Sequence, residues 1–387
     1  MKLRDKKILK ITESYFPNDV RVLKEAIAYQ TAGANVFVLA MNDGNQKSFE
    51  VYLNIRVYRI PLSMKKGRWL GYLLEYLLFF LYSLYYVYKL NKKNRFDIVH
   101  VHTIPDFLVF ASLPAKITGA KIILDLAELM PEFYSFKFNV GMNNLVVKIA
   151  IKLEYLSMHY ADQCITISER IKKIFKARTG IKDIAIIMNT IEPINIKPSK
   201  NQNKGNQFSI IYHGHINAAY DFESCIKAVN LIKENIPNFL FKIYGDGPNL
   251  NKLKKYVHEL NIEDNVVFYG WVDRSIVYEA IVNSNIGIIP ARNNHYLNLS
   301  FSNKLGDFVA LGVPVIAPKL VSYLDYFPLD SLAYIDKINE HQIYKKVINL
   351  YNERGQLNEL SKTAFSYYSK INWRVMDDRL ISLVINI

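Results

Sequence analysis

Short apolar runs alternate with helix-length stretches along almost the whole of this 387-residue chain. In the first half, KILKITES (7–14), NVFVLAM (35–41), IRVYRIP (55–61), FDIVHVH (96–102), KIILDLA (121–127), DQCITIS (162–168) and IAIIMNT (184–190) read as strands. Their β-branched and aromatic content suits a pleated, buried surface. Helical patterns lie between most of them, at 20–32, 68–92, 106–118, 143–160 and 168–179. Alternation of this kind predicts a parallel sheet with helices on both faces. The polar segment NTIEPINIKPSKNQNKGNQ (189–207) interrupts the pattern and reads as a domain boundary. Six further strands follow: FSIIYHG (208–214), FLFKIYG (239–245), NVVFYG (265–270), IGIIPA (286–291), VPVIAP (313–318) and LAYID (332–336). A helical stretch at 374–385 closes the chain.

The predicted fold is therefore α/β, with two doubly wound, Rossmann-like parallel-sheet domains facing across a cleft. Residues 1–190 form one domain and 191–373 the other, with a C-terminal helix in 374–387 crossing back to the first. In such sheets ligands bind beyond the carboxyl ends of the strands, so motifs at those ends are expected to line the cleft.

Charge separates the two halves. Residues 1–190 carry 28 Lys and Arg against 16 Asp and Glu, whereas 191–387 carry 21 against 19. Basic clusters stand at KKGR (65–68), KKNR (92–95) and KKIFKAR (172–178). An anionic partner for the first half would explain the asymmetry; a well-solvated lysine surface is the plainer reading. Between two of these clusters runs WLGYLLEYLLFFLYSLYYVYKL (69–90), long enough to span a bilayer. It contains Glu75 and six tyrosines and sits between two predicted strands, which favours a buried crossover helix or one lying in the membrane interface. Aromatic residues of the basic half follow core periodicity and form no recognisable nucleic-acid module, so no nucleic-acid partner is expected. Cys164 and Cys225 are far apart and outside metal-ligand spacing, which suits reduced core residues. The opening MKLRDKKILKIT lacks the apolar run of a signal peptide, so the expected location is cytoplasmic, peripheral to the inner face of the membrane.

Two motifs in the second half point to an anion. In IYGDGPNLNKLKKY (243–256), Gly245 and Gly247 permit a tight turn after a strand, and the next helix begins with unpaired N–H groups. In SNKLGDFVALGVPVIAP (302–318), Ser302, Asn303 and Lys304 start a helix, with Asp307 one turn on. Free N–H groups and an ammonium there favour a diphosphate, and a carboxylate could accept from two ribose hydroxyls. A capped surface helix with an i,i+3 ion pair is the competing reading. A phosphate-binding GxxxxGK loop is absent, as is GxGxxG after the first strand, which argues against a P-loop ATPase and an ordinary nicotinamide enzyme. His100 and His102 share one face of a strand without an evident third metal ligand.

YHGHINAAYDFESCIKA, IYGDGP, VVFYGWV and NKLGDFVALGVPVIA, in that order, resemble the C-terminal half of the retaining glycosyltransferases of family 4, which have the GT-B fold. The first half resembles that family too, through SYFPNDVRVLKEAIAYQTAGANVFVLA, FDIVHVHTIPDF and ILDLAELMPEFY. The resemblance implies transfer of a sugar from a UDP- or GDP-sugar, with retention, to a lipid-linked or polysaccharide acceptor, without a metal or other cofactor. It implies donor contacts at Gly214, His215, Gly245, Gly247, Trp271, Ser302, Asn303, Lys304 and Asp307, the last standing where the family usually has Glu. It implies catalytic contributions from Lys304 and His102 and acceptor-side roles for Asp19 and Arg21; Glu128 and Glu132, the acids nearest to Ala127, are the candidates to orient the reacting sugar and the acceptor, Glu128 on the catalytic side and Glu132 on the acceptor side. Ala127, Ala219 and Leu299 depart from the family's polar residues at the donor. These losses motivate the alternative expectation, a non-catalytic paralogue that supports a partner transferase.

Overall fold

The computed structural model describes residues 2–62, 69–138, 140–193, 207–294, 297–299 and 301–387. The KKGR cluster at 65–68 and most of the polar segment 189–207 lie outside the described residues. The chain divides into two compact units, Met1–Asn189 with Met376–Ile387, and Thr190–Val375. The final helix, Trp373–Asn386, starts in the second unit and continues in the first.

The first unit holds an eight-stranded sheet: β1 (Lys7–Tyr15), β2 (Asn35–Met41), β3 (Phe49–Tyr52), β4 (Ile55–Ile60), β5 (Ile98–His102), β6 (Lys121–Leu126), β7 (Gln163–Thr166) and β8 (Ile184–Ile186). Its order is β3-β4-β2-β1-β5-β6-β7-β8. Seven strands are parallel, and their near-continuous apolar runs are what a sheet covered on both faces requires. The eighth corrects the sequence reading. FEVY forms β3, which runs antiparallel to β4 at the sheet edge. The hairpin turn at Leu53 and Asn54 has φ of 47° and 62°, a left-handed pair usually signalled by Gly, and no Gly marks it here.

The second unit holds six parallel strands: β9 (Ser209–His213), β10 (Leu240–Tyr244), β11 (Val266–Gly270), β12 (Ile286–Ile288), β13 (Val315–Pro318) and β14 (Ala333–Ile335), in the order β11-β10-β9-β12-β13-β14. Its core includes Ile210, Tyr212, Ile226, Phe241, Ile286 and Ile316. Strand order reverses at β1/β5 in the first sheet and at β9/β12 in the second. At such a reversal the adjoining connections leave on opposite faces, which opens a crevice at the carboxyl ends.

The helix Trp69–Asn94 has an unusual surface. Glu75, Phe79, Ser83, Val87, Leu90 and Asn91 form its buried stripe, while Leu74, Leu77, Leu81, Tyr85 and Tyr88 stand on the solvent side. Helical spacing thus separates two faces, and the outer one is as apolar as many cores. The helix packs on the 3-10 segment Asp106–Ser112, which in turn packs on the helix Leu145–Tyr160, where Leu145, Ile149 and Leu156 are also exposed. No described helix is long and apolar enough to cross a membrane. Both cysteines are buried free thiols.

Candidate functional site

In the second unit, the strand-order reversal brings three segments together. The backbone after β9 bonds the backbone after β10, with Gly214 N–H donating to Tyr244 O at 2.8 Å and Ile216 N–H to Asp246 O at 2.9 Å. Any side chain would break this contact. A Cβ on Gly245, whose φ is +134°, would lie 1.9 Å from Gly214 O, and one on Gly247 would lie 2.1 Å from Ile216 O. The third segment is the helix Asn303–Ala310, with Ser302 at its N-cap. The stem of Lys304 lies on Gly214, where a Cβ would meet its Cε at 2.6 Å. The Lys304 ammonium donates to Tyr220 OH at 3.0 Å and stands 4.6 Å from the centre of that ring. Two glycine turns, a helix N-terminus and a positioned ammonium therefore sit side by side, the chemistry that binds an oxyanion.

Asp307 is 6% exposed. Arg274 Nη2 and Tyr278 OH both lie 3.4 Å from its Oδ1, and His213 Nε2 lies 3.8 Å from its Oδ2. Burial, then Lys304 and Arg274, push the His213 imidazole down to about 3, so it is neutral near pH 7. Burial and the Asp307 charge push the Tyr278 phenol up. His215 is exposed, and its carbonyl accepts from Tyr212 OH at 2.8 Å. Trp271 is 82% exposed beyond β11, near a parallel stack of Tyr244 and Tyr269 with ring centroids 4.3 Å apart. At Ala219, the carbonyl accepts from Arg292 N–H at 2.9 Å, and the Arg292 guanidinium pairs with Asp221 at 3.1 Å. A cation thus stands next to that position, carried by another segment.

In the first unit, seven titratable groups meet within the β1-β5-β6 layer and the helix Val20–Thr31. Register places Lys10 beside His100 and His102 beside Asp125. Arg21 makes a bidentate pair with Asp125 at 2.7 and 2.8 Å and gives a third bond to Ile187 O at 2.8 Å. Lys10 pairs with Glu25 at 2.7 Å. His102 Nδ1 lies 3.0 Å from Asp125 Oδ2, and Tyr29 OH lies 3.0 Å from His100 Nδ1. Lys10 Nζ, a donor, is 3.2 Å from the same His100 Nδ1, which makes that nitrogen an acceptor. Burial, then Lys10, push His100 down to about 3. Burial raises the Glu25 carboxyl, but Lys10 and Arg21 outweigh it and hold it at about 2. Glu25, His100, His102 and Asp125 offer ligand atoms within 4.8 Å of one another. Their two carboxylates are already neutralised by Lys10 and Arg21, so a metal ion would have to displace two buried cations.

The acceptor-side candidates have the following surroundings. Arg21 is buried, with its guanidinium divided between Asp125 and Ile187. Glu132 is buried and paired with Arg178, which also holds Glu154 at 3.1 Å. Asp19 caps its helix, accepting from Arg21 and Val22 N–H at 3.1 and 3.2 Å. Glu128 is half-buried beyond β6, and His102 is buried at the end of β5. Residues that the sequence reading passed over include Tyr220, Arg274 and Tyr278 in the second unit, and Lys10 and Glu25 in the first. Lys10 and Glu25 carried a signal: each is a charge inside an apolar run. Arg274 carried none, because its role depends on a partner 33 positions away.

Comparison with known proteins agrees with this layout. The model of the family described as Glycosyltransferase Family 4 matches residues 20–193, and that of Glycosyl transferases group 1 matches 194–366. A Haemophilus influenzae protein described as an uncharacterized glycosyltransferase is 25% identical over 280 residues, 71% of this chain and 69% of its own length. The Escherichia coli UDP-Gal:alpha-D-GlcNAc-diphosphoundecaprenol alpha-1,3-galactosyltransferase is 24% identical over 226 residues, 54% of this chain and 55% of its own length. Among solved structures, Anabaena HepE in complex with UDP-glucose superposes with a TM-score of 0.73, at 15% identity, covering 98% of this chain and 100% of that one.

Proposed function

Because this chain is a family 4-like glycosyltransferase of the GT-B fold, we propose that it moves a sugar from a UDP- or GDP-sugar, with retention, to a lipid-linked or polysaccharide acceptor at the inner face of the membrane. The observation that carries the donor reading is the packing of Lys304 on the Gly214 turn, which itself lies against the Gly245 turn. In this reading the turns, the helix N-terminus at Ser302 and Asn303, and the Lys304 ammonium hold the diphosphate. The leaving diphosphate gains charge in the transition state, and fixed donors stabilise that charge without reorganising. Gly270 and Trp271 hold the base, and His215 lies at the phosphate side. Glu128 and His102 orient the reacting sugar and the acceptor hydroxyl. The acceptor class is taken from the name of the E. coli relative, whose acceptor is a diphosphoundecaprenol glycan.

Calorimetric titration with UDP and with GDP tests the donor site. One of the two is expected to bind at micromolar strength, and turnover of its sugar is expected to persist in EDTA. Failure of both to bind the folded protein would remove the reading. Binding without turnover would favour the non-catalytic paralogue motivated by Ala127, Ala219 and Leu299.

The membrane part rests on the apolar outer stripe of the helix Trp69–Asn94, with Lys89, Lys92 and Lys93 near its end. A leucine buried in an interface contributes about 1.5–3 kcal/mol and a nearby lysine about 1 kcal/mol on an anionic surface. Co-sedimentation with phosphatidylglycerol vesicles is therefore expected, weakening with salt and falling at least tenfold in the Leu77→Asp, Leu81→Asp variant. Equal sedimentation of variant and wild type would place the binding elsewhere.

A further inference from the structure

The acid at 307 has one methylene less than the Glu expected there, and its surroundings suggest more than a shorter arm. Its carboxylate is almost fully buried and lies among Arg274, Tyr278 and His213. Arg274, in contrast, is 44% exposed at its side chain and begins the helix Arg274–Val282. One edge of its guanidinium reaches Asp307, and its Cζ stands 5.1 Å from the centre of the Tyr278 ring. A guanidinium has five N–H donors, so anchoring one edge leaves others to bind a ligand. Its position follows from the roles proposed above for its neighbours. Arg274 follows the base-side Trp271 by three residues, and Asp307, which anchors it, follows the diphosphate-side Lys304 by three. The part of a nucleotide between base and diphosphate is the ribose.

We propose that Arg274 is the residue that touches the ribose, donating to its hydroxyl oxygens, and that Asp307 is a positioning residue acting through Arg274. This rests on the nucleotide-sugar reading above and assigns a ribose contact within it. The roles are chemically distinct: a carboxylate can only accept from a hydroxyl, and a guanidinium can only donate. An exposed Arg–Asp pair would be worth little, but here the acid is buried, so its bond can orient the exposed partner.

The test uses the full chain and whichever of UDP or GDP binds it, together with the 2′-deoxy form of that nucleotide. The quantity read is the ratio of the two Kd values, the ribose preference. Wild type is expected to prefer the ribonucleotide by about tenfold, the size of one charge-assisted hydrogen bond. Arg274→Gln is expected to bring the ratio close to one. Asp307→Asn is expected to lower it partly, and the double variant is expected to be no weaker than Arg274→Gln alone. Arg274→Lys keeps the charge without the fork and is expected to retain only part of the ribose preference. The proposal is overturned if Arg274→Gln keeps the preference while Asp307→Asn loses it, or if the two losses add. Absence of nucleotide binding in wild type would instead remove the donor reading itself. Arg274 is on the surface, so its variants keep the fold even if Asp307→Asn does not.

Discussion

Replacing Arg21 by methionine is expected to lower the melting transition of the first unit by roughly 10 °C. Methionine keeps most of the volume and removes the bidentate pair to Asp125, the bond to Ile187 O and the 3.3 Å contact with Glu25. Removing one partner of a buried ion pair costs about 3–5 kcal/mol, because the other charge is left without compensation. For a domain of this size, about 2–4 °C accompany each kcal/mol. Burial raises the Asp125 carboxyl, but Arg21 and the two histidines outweigh it and hold it well below the usual range. Its contribution is therefore present above the unfolded carboxyl range and is lost only as pH falls through the depressed folded value. Without Arg21, burial dominates and the carboxyl rises, so the variant folds best with Asp125 protonated. The gap between wild type and variant is then expected to narrow from pH 7 to pH 5. Scanning calorimetry at both values checks this, and a gap that widens on acidification would contradict the assignment. Arg21→Lys is expected to fall between, since it keeps the charge and loses the fork.

Lys304→Met is expected to lower the transfer rate by about 10²–10³, the usual effect of removing one donor to developing negative charge. Methionine retains the stem that lies on Gly214, so the glycine turns keep their packing and the change isolates the ammonium. Affinity for the nucleoside diphosphate is expected to fall while that for the monophosphate changes little. Release of diphosphate from the donor sugar, measured beside calorimetric binding, separates the two effects. A rate within threefold of wild type would deny Lys304 a part in the chemistry. Tyr220, whose hydroxyl accepts from the ammonium, tests its positioning: Tyr220→Phe is expected to have a smaller effect of the same sign.

Particular residues show where reading from sequence stops. The parallel architecture was legible because a buried parallel strand is apolar on both faces and its return must be a helix, so both leave a periodic trace. The edge strand β3 was not, since it is short, half-exposed and joined through a turn without Gly. The glycine turns were legible as turns, but their reason was not. Gly245 and Gly247 are glycines because another backbone occupies the place of their Cβ, and that backbone lies some thirty residues earlier.

Local covalent pattern thus determined the buried parallel strands and their order along the chain. Only the tertiary structure decided what each charge is for. Arg21 carries the same sequence signal as a surface ligand, yet it is buried against Asp125 of β6. Asp307 reads as a free acid one turn into a helix, yet it is enclosed by residues from two other segments. A charge in water and a charge in a core differ by several kcal/mol and by the partners they must have. Burial is a property of all the segments that meet at a point, and no single segment contains it.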